Sequence, residues 1–368
     1  MKLSVLIAAA LAALMAAPAV GKGPPLGIEF RGQAIVPTGT TFAGTTIGGL
    51  SSITYDPALG IYYAVSDDPG TFGGKARFYT LRLDLADGHL SSGDVHFDSV
   101  TTLLAPNGQP YAPTAIDPEG LALTKDRELI LTSEGYANAV PPVDPFVRRY
   151  SLGGAWLGSL PVPQPFLPTT THTSGIRNNL AFESAGVSNN GRFFFTGTEN
   201  ALFQDGPAAS ALTGSPSRIM RYDLQTGTLD RQWVYVTDHV VQAPPPGQFS
   251  VNGLVELLPL NNEFLIAMER SFTAGVPGTG NSIKLYRVSL PGATNVNGAD
   301  SIAALLGVAQ PAQKTLLFDL DTLGIPLDNV EGLTFGPTLP DGHRSLVLVS
   351  DNNFAASQFT QFLLFEIE

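Results

Sequence analysis

Cysteine is absent from the 368-residue chain, so no disulfide holds the fold and no thiol can act as nucleophile or metal ligand. Charge is scarce too. Asp, Glu, Lys and Arg make up 14% of residues, which leaves room for a large apolar core and excludes a solvated, disordered chain. What charge there is has mainly one sign: 20 basic against 32 acidic residues give a formal net charge of −12. That field repels phosphate backbones and anionic lipid, so nucleic acid and membrane surfaces are excluded as partners and cations are favoured. Histidine is rare. His89, His96, His172, His239 and His343 fall mostly on outer strands or loops, and no G-x-S-x-G elbow is present, so serine chemistry has no visible base or nucleophile. The Gly-rich AGVPGTGNS (274–282) lacks the lysine and serine spacing of a phosphate-cradling loop.

Long apolar runs are missing after the first residues. Lys2, the stretch from Leu3 to Met15 and Ala17-Pro18-Ala19 have the order of a basic n-region, a short h-region and an A-x-A cleavage signal, too short to span a bilayer. The pattern predicts a signal peptide over 1–19 and a single domain over 20–368, exported to the periplasm or beyond the cell and free of the membrane after cleavage.

What the sequence does contain is turns and short apolar segments. Thirty-nine Gly and 29 Pro scattered among Val/Ile/Leu/Phe runs read as all-β architecture. One plan recurs: GGLSSITYDPALGIYYAVSDD (48–68), DPEGLALTKDRELILTSEGY (117–136), FESAGVSNNGRFFFTGTEN (182–200), VNGLVELLPLNNEFLIAMER (251–270) and VEGLTFGPTLPDGHRSLVLVSDN (330–352). In each, a small residue follows an acidic or amide position, a strand descends to a polar turn, and a strongly apolar strand climbs to an acidic residue. Two further strand-like segments follow each copy except the last, which has one before the chain ends. IEFRGQAIVP (28–37) is a strand with no hairpin ahead of it and can supply the missing partner. The expectation is a single β-propeller of four-stranded blades, five counted and six possible, closed by the N- and C-terminal strands so that no sheet edge is left open.

In such a ring the start of each innermost strand lies beside the end of the next, at one rim of the channel. Glu119 then neighbours Glu134, Glu183 neighbours Glu199, Asn252 neighbours Glu269, Glu331 neighbours Asp351, and Gly48 neighbours Asp67 and Asp68. Like charges at 4 Å cost about 4 kcal/mol at an effective dielectric near 20, so a cation, an arginine or raised pKa values must compensate. An all-oxygen donor set suits Ca²⁺. Arg177 and Arg270 fall on the same face and can pair with the acids instead.

The string GIRNNLAFESAGVSNNGRFFFTGTENAL (175–202), preceded by DPEGLAL and SEG and followed by VEGLTF and VSDNN, resembles the exported bacterial phytase-like proteins described as "esterase-like activity of phytase". The resemblance spans nearly the whole mature chain. It implies a β-propeller related to calcium-dependent phytases and esterase-like hydrolases, and it carries over Glu119, Arg177, Asn179, Glu183, Glu199 and Glu331 as motif positions. The chain departs from a phytase in having few basic residues on that face, where a polyphosphorylated substrate calls for many.

The expected function is a Ca²⁺-dependent hydrolase of phosphate or carboxylate esters acting on a small-molecule substrate. Glu119, Glu183, Glu331, Asp67 and Asp351 would hold the ion, and Glu134 or Glu199 would accept a proton from water. Arg177 would steady the leaving group, and Asn179 and Arg270 would bind substrate. Two other readings stay open: a non-catalytic propeller that binds a ligand or partner protein and uses calcium for structure, and a sugar-lactone hydrolase.

Overall fold

The computed structural model describes residues 26–368, so the expected signal peptide over 1–19 lies outside the described residues. Among the described residues, five four-stranded antiparallel sheets form five blades with no sixth blade, and a two-stranded ribbon, Thr41–Phe42 with Thr45–Thr46, stands apart from them. The first blade uses Leu50–Asp56, Ile61–Ser66, Arg77–Leu83 and Val95–Thr102; the second uses Pro118–Leu123, Glu128–Ser133, Phe146–Ser151 and Trp156–Leu160. In the third, a short inner strand, Gly186–Val187, precedes Phe193–Gly197, Pro216–Asp223 and Thr228–Val236. Ser250–Pro259, Phe264–Thr273, Asn281–Ser289 and Gln313–Asp319 make the fourth. The fifth takes Asn329–Thr338, Arg344–Asp351 and Thr360–Ile367 from the C-terminus and its outermost strand, Ile28–Val36, from the other end of the chain. The closing pair runs from Ile28 opposite Ile367 to Val36 opposite Thr360, with a bulge after Phe30.

The second strand of each blade is apolar on both faces because each blade is a layer packed between two others. In the fifth, Leu346 and Leu348 enter the cluster shared with the fourth blade, with Ile266 and Met268, while Val347 and Val349 enter the one shared with the first, with Ile53 and Ala64. The period of two thus sends alternate side chains to different interfaces. Five large clusters fill the five inter-blade seams. Outermost strands such as Val95–Thr102 and Gln313–Asp319 contain no buried residue. Among the described residues no helix is long and apolar enough to cross a membrane.

Candidate functional site

One feature of the inner strands aims acids into the channel. In the second blade Pro118 pairs with Ser133 and Leu121 with Leu131, so Glu119 and Gly120 face one residue. In the fifth, Glu331 is the extra residue between Val330 and Gly332. These are β-bulges, which break strand alternation and re-aim a side chain. The glycine after each acid is set by close approach: a Cβ on Gly120 would lie 2.7 Å from the Glu183 carbonyl oxygen, and one on Gly332 3.0 Å from Ser52 Cα. An acid followed by glycine therefore marks where an inner strand bulges against the next blade.

The mouth opens into a cavity of about 610 Å³, walled by Asp67, Asp117, Glu119, Glu183, Glu331 and Asp351, with Asn179 and Arg270 also in its lining. Carboxylates come from four blades and the cation, Arg270, from the fourth. Two overlapping triads define the acidic side. Asp117, Glu119 and Glu134 offer oxygens within 4.8 Å of one another, as do Glu134, Glu183 and Glu199. Glu134, 1% exposed, belongs to both triads; it accepts the amide of Ala181 and lies against Glu183.

Burial, reinforced by neighbouring carboxylates, holds Asp67, Glu119 and Glu183 well above the usual carboxylate range. The same cause pushes Glu134 up to about 8. Burial alone takes Asp117 to about 6, against a lowering hydrogen bond from Tyr136, and it raises Asp351 to about 8 with help from Glu331. Glu199 rises to about 7 through burial, offset by Arg270. Burial disfavours the charge on Arg270, but Glu331, Glu199 and Glu183 more than restore it and raise its pKa. Arg270 Nη2 donates to Glu331 Oε1 at 2.8 Å and stands 3.8 Å from Glu199 Oε1.

The structure gathers Asp67, Glu119, Glu183, Glu331, Asp351, Asn179 and Arg270 around one cavity. It does not bring in Arg177, whose guanidinium donates to the carbonyls of Ala201 and Gly206 and lies 4.3 Å from the centre of the Phe203 ring. That corrects the leaving-group role expected of Arg177: its donors are turned to backbone carbonyls. Glu134 and Glu199, expected as proton acceptors, do not line the cavity; both are about 1% exposed and packed against Glu183.

Two of the nine expected rim acids serve structure. Asp68 accepts the amides of Gly70, Thr71, Phe72 and Gly73 and pairs with Arg77 at 2.8 Å. Glu269 is bound by Tyr235, the Asp238 amide, Asn252 and Lys314. Sequence reasoning missed Asp117 as a site residue, although it opens the DPEG stretch immediately before a bulged strand.

The donor set fits a hard cation. Every candidate ligand atom is oxygen, and Asp67 Oδ1 is shut off from solvent without a hydrogen bond, whereas Glu199 Oε1, also unbonded, is faced by Arg270. An unpaired buried acceptor is costly unless something positive faces it. Glu331 and Asp351 fit less well. Asn329 donates to both, Arg270 also donates to Glu331, and the Asn353 amide donates to Asp351.

A five-bladed propeller with an acidic cavity at its channel mouth is the class that fold and site define. Within that class, the chain belongs to the Phytase-like family, esterase-like activity of phytase, whose match runs over residues 45–354. No curated protein matches the chain in sequence. Among solved structures it is similar to a periplasmic gluconolactonase from Pseudomonas aeruginosa, 15% identical over 84% of this chain and 83% of that one, TM-score 0.34. It is also similar to an endo-arabinase from Bacteroides thetaiotaomicron, 10% identical over 88% and 96%, TM-score 0.40, and to a luciferin-regenerating enzyme, 10% identical over 87% and 92%, TM-score 0.38. At these identities the chemistries of those proteins remain their own.

Proposed function

We propose that the chain is an exported, Ca²⁺-dependent hydrolase of small carboxylate esters, lactones included, working in the channel-mouth cavity. The observation that carries the reading is the pair of carboxylate triads sharing Glu134 beside that cavity, with the buried Asp67 Oδ1 left unpaired. Asp67, Glu119, Glu183 and Glu134 would hold the ion, with Asp117, Glu331 and Asp351 bounding it. Bound there, Ca²⁺ would supply Lewis-acid polarisation of the ester oxygen.

The chain's own residues do the rest. Asp117 is half-buried and opens onto the cavity, so it, rather than the recessed Glu134 or Glu199, is placed to take a proton from an attacking water. Arg270 presents the cavity's positive charge and steadies a developing oxyanion. Asn179, in the left-handed region at φ 56, holds a neutral donor and acceptor at the mouth. Phe249 and Phe272, with ring centres 6.4 Å apart, add an apolar wall. Arg270 is already engaged by Glu331 and Glu199. A polyphosphorylated substrate therefore meets more repulsion than attraction here, whereas a neutral acyl ester does not. Export rests on the residue pattern of 1–19.

The deciding experiment assays the purified protein on acyl esters, lactones and phosphomonoesters with and without chelator. Turnover of the first two that falls at least tenfold on chelation is expected. Asp117→Asn should lose at least a hundredfold in kcat while its melting temperature stays within about two degrees. Chelator-insensitive turnover, or none on any ester, overturns the proposal.

A further inference from the structure

A second cluster of ligand-type side chains stands at the opposite end of the fifth blade from the acidic cavity. Asp341 and His343 lie in the turn before Arg344–Asp351, and Glu366 is near the end of Thr360–Ile367. His343 Nδ1 is 3.4 Å from Asp341 Oδ1 and 3.6 Å from Glu366 Oε2, and the three offer ligand atoms within 4.8 Å of one another. That nitrogen is shut off from solvent and makes no hydrogen bond. On the far side of the ring, Nε2 is 3.7 Å from Glu368 Oε1.

These distances are too long for an imidazolium bound to carboxylates, whose charge-assisted hydrogen bonds are about 2.7 to 2.9 Å. A neutral ring protonated on Nε2 would turn its Nδ1 lone pair toward two carboxylate oxygens and be repelled by both, and one protonated on Nδ1 would sit too far from either for a hydrogen bond. A separation of 3.4 to 3.6 Å matches the edge of a tetrahedron, about 3.4 Å when ligands sit about 2.1 Å from a central ion. Arg31 complements the arrangement. Its Nε and Nη2 donate to Glu366 Oε2 and Nη2 also donates to Asp341 Oδ2, while Asp341 Oδ1, on the ring side, accepts the His343 amide at 3.0 Å and keeps one lone pair for an ion. A guanidinium orienting ligating carboxylates is an ordinary outer-shell contact. Glu29, Asp341 and Glu366 surround the guanidinium and Glu368 stands beside the imidazole, so four carboxylates share one guanidinium charge and the locality still favours added positive charge.

We propose that Asp341, His343 and Glu366 bind a divalent transition ion, Zn²⁺ by preference for one imidazole and two carboxylates. It would tie the last turn of the chain to its C-terminal strand beside the strand that closes the ring. This site is independent of the calcium reading of the channel mouth.

Metal-stripped full chain is titrated with Co²⁺ and then Zn²⁺ in millimolar Ca²⁺. The wild type should show the visible bands of four-coordinate Co²⁺, displaced by one equivalent of Zn²⁺. His343→Gln should lower Zn²⁺ affinity at least tenfold and abolish the bands, whereas Glu119→Gln in the acidic cavity should keep both. A wild type without bands and without Zn²⁺ uptake overturns the site, as does His343→Gln that binds like wild type. Should His343→Gln fail to fold, the wild type's Co²⁺ spectrum and Zn²⁺ displacement alone decide.

Discussion

Midway down the inner strand of the fourth blade, Glu256 is 1% exposed and bonded only to neutral groups. Its Oε1 accepts the amides of Ala185 and Leu257, and Oε2 is 2.8 Å from Ser52 Oγ, so one side chain braces the first, third and fourth blades across the channel. Burial pushes its pKa from an ordinary 4.5 up to about 8, against those lowering hydrogen bonds. Between those values the folded chain keeps a proton that the unfolded chain has released. Stability therefore falls as pH rises through this window, by about 1.4 kcal/mol per pH unit for this group, and levels off above it. Glutamine keeps the acceptor oxygen and can donate to Ser52. Glu256→Gln should thus leave stability near wild type at pH 4 and raise it at pH 8, flattening the slope. Denaturant midpoints of both proteins at the two pH values test this, and parallel slopes would contradict it. Nothing in the sequence distinguished this acid: it sits inside an apolar run, and what matters about it comes from two other blades.

The hairpin is the element through which the sequence is most legible. Its small residue, polar turn and climbing apolar strand locate the inner pair of every blade, because close approach to the next blade and burial on both faces each leave a mark on composition. The fate of each rim acid leaves none. Asp68 is taken by loop amides and Arg77, and Glu269 by groups reached through Tyr235 and Lys314 on outer strands. The bulges, which decide what enters the channel, show only as an acid before a glycine. Two bulge acids predict opposite behaviour. Glu119 stands among carboxylates, so Glu119→Gln should raise the melting temperature of the chelated protein and shrink the gain on adding Ca²⁺, which for the wild type is about 2.7 kcal/mol at a hundredfold excess over Kd. Glu331 holds Arg270, so Glu331→Gln should destabilise the chelated protein by up to about 3 kcal/mol. Because the cavity acids are raised above their usual range, protons compete with the ion, and the wild-type calcium gain should be larger at pH 8 than at pH 5. Melting curves with chelator and with calcium measure all three effects; equal responses of the two variants would refute the division.

At the scale of the whole molecule, a ring of layers is only as stable as its closure. Each blade packs on two neighbours through a seam of buried side chains, so removing one edge weakens every seam in turn. Closure was legible because the last copy of the repeat lacked a strand and the first residues offered one. The observed register adds what the sequence could not show: eight paired positions from Ile28 to Val36, Phe30 packed 5.4 Å from Phe365, and Arg31 bonded to Glu366. Deleting residues 20–38 strips the fifth blade of its outer strand, uncovers the ladder of Thr360–Ile367 and exposes one side of Phe365 and Leu363. An unpaired edge of this length is a template for association, and the lost pairing also removes apolar burial worth about 25 cal/mol per Å². The truncated chain should therefore melt well below the intact one and form higher-order species at concentrations where the intact chain does not, as read by calorimetry and light scattering. Supplying the strand in trans, as a peptide of residues 26–38, should recover part of the melting temperature in a concentration-dependent way. A truncated chain that melts with the intact one would show that the ring holds without its terminal strand.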